Sequence, residues 1–330
     1  MSVSYALGSA PPAVAGLPEF FVIGPPRTGT TWLHNVMKAH VNLPTVVKET
    51  QFFDRRYSKG LAWYRKRFEP VVAGLPIGEM AATYFYSTQA SERISRLIPG
   101  VRIICTLRDP VERLYSLYRI RCASGSVRCS FREAIGRDRE LIESSRYGFH
   151  LARWIELFGQ ERVRVLLYEN FVEDPQGYVD EICRFIGILP FTISPSQSLR
   201  REKASDVLPY PRLGRLTHLA VRVGAGLNAN GRRQTLALVR KLGLRKWVLK
   251  DAAFTPPPLE PEFAEQLRER LRPEVEAVED LLQIDLARWK AKDEGSLSTD
   301  SAQFGQLIDS LVPISIANRA QGDSPELVAQ

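Results

Sequence analysis

The stretch Gly24-Pro-Pro-Arg-Thr-Gly-Thr-Thr31 puts two glycines, one arginine and three threonines into eight residues. Those types in that order make an anion cradle. Gly24 and Gly29 let the backbone curl and come close to a ligand. Thr30 and Thr31 open a helix, whose unpaired N–H groups and dipole attract phosphate. A second constellation is Arg108 and Ser116. On a helix that follows Arg108, eight residues are about two turns, so the hydroxyl faces roughly the same way as the helix start. One guanidinium and one hydroxyl suit a second phosphate. Between the two cradles lies Lys48-Glu49, a cation beside a carboxylate. A carboxylate next to a bound anion is repelled and partly desolvated, and both effects raise its proton affinity towards that of a useful base. The bland alternative is a pair of surface charges at a strand end.

The first loop is close to the ATP-binding pattern G-x-x-x-x-G-K-[ST] but departs from it. Both glycines and Thr31 match, whereas Thr30 stands where the lysine belongs and the positive charge sits at Arg27. A P-loop kinase or ATPase needs that lysine on the terminal phosphates and a hydroxyl on magnesium. Asp109, just before Pro110, is better explained as a helix cap than as a magnesium ligand. The loop therefore suits a 5′-phosphate, with its charge arranged for a different transferred group. Arg27 and Lys48 are candidate stabilisers of that group, and the arginine fork can hold two oxygens at once. His34 and His40 follow on a helix expected over 31–40 and read as helix-face or capping residues.

With these motifs in order, the chain resembles sulfotransferases that use 3′-phosphoadenosine 5′-phosphosulfate (PAPS), in particular the heparan sulfate type and its bacterial relatives. Gly24 to Trp32 resembles that family's 5′-phosphosulfate loop, with arginine in place of the usual lysine at Arg27. Leu107-Arg-Asp-Pro-Val-Glu-Arg-Leu-Tyr-Ser-Leu-Tyr118 resembles its 3′-phosphate motif. Lys48-Glu-Thr-Gln-Phe-Phe-Asp54 and Tyr57-Ser-Lys-Gly-Leu-Ala-Trp-Tyr64 resemble its E-x-x-F-F-D and K-G-x-x-W-Y segments. The likeness runs over roughly residues 18–190. It implies donor binding by Pro26, Arg27, Thr28, Gly29, Thr30, Thr31, Trp32, Arg108 and Ser116. It implies Glu49 as the base that takes the acceptor's proton, with Arg27 and Lys48 as electrophilic partners. A basic covering loop implies Arg200, Arg201 and Lys203 over the 3′-phosphate. PAPS is the donor, PAP the product, and no metal is called for. One departure bears on the acceptor. Glu79-Met-Ala-Ala-Thr-Tyr-Phe85 resembles the family's E-K-T-P-A-Y-F, but the lysine there is Met80 here, which leaves a smaller or less charged acceptor open.

These residues need a scaffold. Apolar runs at Phe20–Ile23, Thr45–Val47, Ile77–Met80, Arg102–Leu107 and Val163–Tyr168 read as strands that alternate with helices. That grammar predicts an α/β protein, a P-loop-NTPase-like three-layer fold with a central parallel sheet flanked by helices. Helices are expected over Tyr147–Phe158 and from Asp174 to Phe185. Phe263, Leu267 and Leu271 share a helical face, and Pro273 is expected to end that helix and start another. Residues 1–17 read as a flexible leader, 18–292 as the sulfotransferase domain, and 293–330 as a mobile tail. Within the domain, about 191–260 is a basic covering segment.

The 330 residues carry a net charge of +8, unevenly spread. From Arg200 to Lys250 there are 13 Lys/Arg against 2 Asp/Glu. No zinc-finger, homeodomain or RNP pattern accompanies them, so anionic small ligands are expected rather than a specific nucleic acid. Residues 234–250 mix apolar and basic side chains, which leaves peripheral membrane contact open. No apolar run is long enough to span a bilayer. Since the eukaryotic Golgi members of the family it resembles are membrane-anchored, the resemblance implies a bacterial, cytoplasmic setting. Cys105 and Cys183 fit buried thiols; Cys122 and Cys129 bracket a short loop that a bridge could close, but in a reducing compartment free thiols are the expectation. The resulting reading is transfer of a sulfonate to a hydroxyl, or less readily an amine, of a small-molecule, glycan or lipid acceptor. The rivals are a nucleotide-dependent kinase and a non-catalytic basic protein that binds nucleotides or polyanions.

Overall fold

A computed structural model of the protein describes residues 15–123, 126–194 and 256–290. All belong to one unit, Met1–Lys290; the other unit, Ala291–Gln330, lies outside them. Arg200, Arg201 and Lys203, most of the basic segment and the expected tail also lie outside the described residues.

The elements follow in order β1 (Phe20–Ile23), α1 (Thr30–Met37), α2 (Phe52–Arg55), α3 (Gly60–Arg65), β2 (Gly78–Met80), α4 (Thr88–Leu97), β3 (Arg102–Leu107) and α5 (Pro110–Ala123). Then come α6 (Phe131–Arg137), α7 (Arg139–Glu143), α8 (Tyr147–Phe158), β4 (Val163–Leu167), α9 (Tyr168–Glu173), α10 (Pro175–Ile186), α11 (Pro261–Leu282) and α12 (Ala287–Lys290). The strands form one sheet in the order β2-β1-β3-β4. Every pairing is parallel, with Ile23 of β1 opposite Cys105 of β3.

β1 is buried at all four residues, as a strand covered on both faces must be. Its side chains alternate between two cores. Phe21 and Ile23 join Ile103, Cys105, Phe53, Tyr64, Trp154 and Val275 on one face. Phe20 and Val22 join Ile104, Leu33, Val36 and Ile182 on the other. Helix, sheet and helix thus form the expected three layers. Connections leave β1 and β3 in opposite directions along the sheet, so a crevice opens at their carboxyl ends, where ligands of open parallel sheets bind.

Three expectations are corrected. Thr45–Val47 is not a strand. Thr45 N–H and Oγ1 bond to the carbonyls of Arg67 and Glu69 instead of to a sheet neighbour, and Val46 is 64% exposed. Only an isolated bridge, Asn42 to Ile77, reaches the sheet edge there. The first helix stops at Met37, short of His40. Pro273 does not divide the C-terminal helix, which runs from Pro261 to Leu282. Phe263, Leu267 and Leu271 before the proline and Val275 and Val278 after it are all buried, and that continuous packing offsets the lost backbone bond.

All four cysteines are free thiols, Cys122 and Cys129 included.

Candidate functional site

The loop after β1 turns at Gly24, whose φ is +149°. A Cβ there would lie 2.3 Å from the carbonyl oxygen of Thr106, so only glycine lets the loop lie this close to β3. Thr28 Oγ1 and Thr106 Oγ1 share a hydrogen bond of 2.7 Å that ties the loop floor to β3. Gly29 caps α1 in a left-handed conformation, with no side-chain cap bond. Thr30 and Thr31 follow in the first helical turn. Trp32 turns away into the core, 4.2 Å from the Phe171 ring, and Pro26 contributes its carbonyl to Arg113.

Lys48 closes over this helix start. Its Nζ donates to Thr30 Oγ1 at 3.0 Å and Thr31 Oγ1 at 3.1 Å, and lies 3.3 Å from Glu49 Oε1. A cation thus stands beside the slot that Thr30 leaves without one. Both members of the Lys48–Glu49 pair are about a quarter exposed, 27% and 24%. His34 lies one turn into α1. Burial, followed by the charges of Lys48 and Lys38, pushes its pKa below the ordinary value, which favours a neutral ring.

Arg27 adopts φ +83°, and its Nε donates to Ser116 Oγ at 2.9 Å. The residue expected to face the transferred group therefore reaches towards the second cradle. Ser116 and Arg108 both stand on the α5 side of the crevice. Asp109 caps α5 through bonds from Val111 N–H and Glu112 N–H at 2.8 and 2.9 Å. Arg108 lies over the Tyr168 ring, 4.6 Å from its centroid, and pairs with Glu112 at 2.8 Å. Burial works against its charge, but Glu112, Tyr168 and Glu169 outweigh that and raise its pKa. Its Nε is buried with no hydrogen-bond partner. A buried guanidinium N–H costs free energy while it lacks a partner.

The motif reading missed several supports. Arg113 is fully buried on α5 and donates to Pro26 O, Ser144 Oγ, Ser145 Oγ and Leu141 O. It locks the loop after β1 to the chain before α8. Its signal was a charge within the apolar stripe of Val111, Leu114, Leu117 and Tyr118. Glu79 is also fully buried. It accepts from Thr50 N–H at 2.8 Å, Thr50 Oγ1 at 2.6 Å and Tyr64 OH at 2.7 Å. Burial pushes its carboxyl up to about 7, against those bonds and with help from the Glu49 charge. Asp109 meets Arg268 of α11 at 2.8 Å, with both side chains almost fully buried.

The α/β fold thus brings the loop after β1 and the start of α5 together through Arg27 and Ser116, with a cation over the start of α1 and a carboxylate beside it. A family model of the sulfotransferase domain matches residues 17–207. The chain belongs to that family. Mouse heparan sulfate glucosamine 3-O-sulfotransferase 3B1 is 32% identical over 181 residues, covering 52% of this chain and 46% of that protein. Mouse bifunctional heparan sulfate N-deacetylase/N-sulfotransferase 4 is 30% identical over 198 residues, covering 53% and 23%. The match therefore spans less than half the length of each relative. A sulfotransferase from Alicyclobacillus acidocaldarius shares the fold, with a TM-score of 0.59 at 21% identity over 83% of this chain and 99% of that one.

Among the described residues no cluster of His, Cys, Asp or Glu could hold a metal ion. Among the same residues no helix is long and apolar enough to cross a membrane.

Proposed function

We propose that this protein transfers a sulfonate from PAPS to a hydroxyl, or less readily an amine, of a small-molecule, glycan or lipid acceptor. The observation that carries the proposal is the Lys48 ammonium, within 3.3 Å of Thr30, Thr31 and Glu49 at the start of α1. PAPS would supply an activated sulfonate on a nucleotide leaving group, with phosphates at both ends for two cradles. Pro26 to Trp32 would hold the 5′ end, and Arg108 with Ser116 the 3′ end, with Arg200, Arg201 and Lys203 as further candidates for cover. Thr30, Thr31 and Lys48 stand where negative charge builds during transfer, and fixed donors at that place lower a barrier most. Glu49 takes the proton of the attacking hydroxyl. Arg27, bonded to Ser116, bridges the cradles and aligns the loop with α5.

The sequence domain of 18–292 and a bacterial cytoplasmic setting are parts of the same proposal. The family supports sulfonate transfer over the kinase rival, and Glu49 beside the cradles favours an enzyme over a non-catalytic binder.

Calorimetry with 3′,5′-bisphosphoadenosine tests the donor. Tight binding without magnesium is expected, and preference for ATP–Mg would reject it. Labelled PAPS with panels of alcohols, glycans and lipids, read by mass spectrometry, identifies the acceptor. Glu49→Gln should then lower turnover by roughly 10²–10⁴, the usual worth of a positioned base, with nucleotide affinity unchanged. Full turnover in that variant would move the role elsewhere, with His34 tested next.

A further inference from the structure

Glu49 sits on a loop that no strand supports. The expected strand over Thr45–Val47 is absent, and Val46 and Val47 face solvent. A general base needs a fixed aim, because small misplacement of a reacting group costs much of its effect. What fixes this loop lies one residue further on. Thr50 is fully buried, and both its N–H and its hydroxyl end on the Oε1 atom of Glu79. Glu79 belongs to β2, which pairs with β1 at Phe21. The peptide joining Glu49 to Thr50 is therefore pinned directly to the sheet.

The other partners hold the same turn. Tyr64 of α3 donates to Glu79 Oε2. Tyr84 lies 3.4 Å from both carboxylate oxygens and accepts from Phe53 N–H at 3.2 Å. Thr50 Oγ1 accepts in turn from Phe52 N–H at 3.1 Å. Gln51, between Thr50 and Phe52, is left-handed at φ +54°, so the chain reverses at the point these bonds clamp. A satisfied buried network of this kind specifies one arrangement of its members.

We propose that Glu79 is a positioning residue for Glu49, acting through Thr50 to aim the base at the acceptor. The inference rests on the reading of Glu49 as the base. What Glu79 provides is an acceptor oxygen at the Thr50 N–H and hydroxyl. Glu79→Gln keeps that oxygen, whereas Glu79→Met keeps the length of the side chain and removes it.

Turnover is followed as release of 3′,5′-bisphosphoadenosine from PAPS, with water as acceptor and with any alcohol the screen returns. Glu79→Met should lower kcat at least tenfold and leave the Kd for 3′,5′-bisphosphoadenosine within twofold. Glu79→Gln should restore most of the turnover. In a Glu49→Gln background, Glu79→Met should add no more than a twofold loss, since there is no base left to aim. A tenfold loss recurring in that background would make Glu79 a general structural support and overturn the proposal. Undiminished kcat in Glu79→Met would overturn it as well. Should Glu79→Met not fold, Thr50→Val removes the linking hydroxyl and is judged by the same two comparisons. Full turnover in Glu49→Gln alone would reject the base itself. Loss there with an additive effect of Glu79→Met would reject only the positioning role.

Discussion

Arg108 is held by two side chains and still has an N–H to give. Glu112 takes Nη2, the Tyr168 ring lies against the guanidinium, and Nε is buried without a partner. An anion against the guanidinium would gain a charge-assisted bond. Arg108→Ala should therefore weaken 3′,5′-bisphosphoadenosine binding by about 1.5–3 kcal/mol, as calorimetry would show. An unchanged Kd would remove Arg108 from the site. Arg27 is predicted to behave differently. Its Nε bond to Ser116 depends on the guanidinium fork, so Arg27→Lys should lose affinity although the charge remains. Ser116→Ala should lose a similar amount, and the double variant little more, because both remove the same bond. At this scale the sequence was most readable where glycine, proline and threonine spacing restricts backbone geometry, as from Gly24 to Thr31. It was least readable where a side chain could swing to either of two neighbours. Nothing in the order of residues tells Arg27 to reach Ser116, 89 positions away, or Lys48 to settle on Thr30.

At the scale of elements, β1 and β3 were legible as apolar runs because a strand buried on both faces has no other composition open to it. Thr45–Val47 has the same composition over three residues, but Thr45 bonds instead through its N–H to the carbonyl of Arg67 and through its hydroxyl to that of Glu69. So short a run is not distinguished by pattern from a loop, and tertiary partners decide it. Pro273 misleads for a related reason: propensity predicts a break, and packing on both sides carries the helix through. The junction of β1 and its loop makes a sharper test. In Gly24→Ala the new methyl would meet the Thr106 carbonyl and Oγ1 at 2.3 Å, with φ at +149°. The carbonyl belongs to β3, which is paired on both sides and has no room to retreat. Overpacking costs about 1–3 kcal/mol and backbone strain a similar amount. Gly24→Ala should lower the unfolding midpoint accordingly and lose nucleotide binding with it. Gly60 also has a positive φ, +78°, but open space around its Cβ position. Gly60→Ala should show the strain alone, with nucleotide binding kept. Equal midpoints for the two variants would show that the close approach at Thr106 costs nothing.

Across the whole molecule, the family match ends at residue 207, but the start of α5 is supported from beyond it. Arg268 of α11 reaches the Asp109 carboxylate that caps α5, and also the carbonyl of Trp289. Trp289 Nε1 and Asp109 N–H both donate to Glu169 Oε1. The C-terminal helices therefore hold the start of α5, next to Arg108, in place. This link was not legible: amphipathic spacing marks the buried face of α11 but does not say which carboxylate its arginine will meet. Burial pushes the Asp109 carboxyl up to about 6, with Arg268 opposing the shift. The folded chain thus holds that proton more tightly than the unfolded chain, and the contribution of Asp109 to stability falls as pH rises from 3.8 to about 6. Replacing Arg268 by methionine takes away the opposing charge, so the window extends above pH 6 and the cost of the variant grows with pH. Above that window the variant buries an unpaired carboxylate, a loss of about 3–5 kcal/mol. Denaturant unfolding at pH 5 and pH 8 is the measurement. Arg268→Met should be far less damaging at pH 5, where Asp109 takes up its proton, and Asp109→Asn in the same chain should return much of the stability at pH 8. An equal penalty at both pH values, unrelieved by Asp109→Asn, would show that α11 steadies the site through packing, with the ion pair contributing nothing.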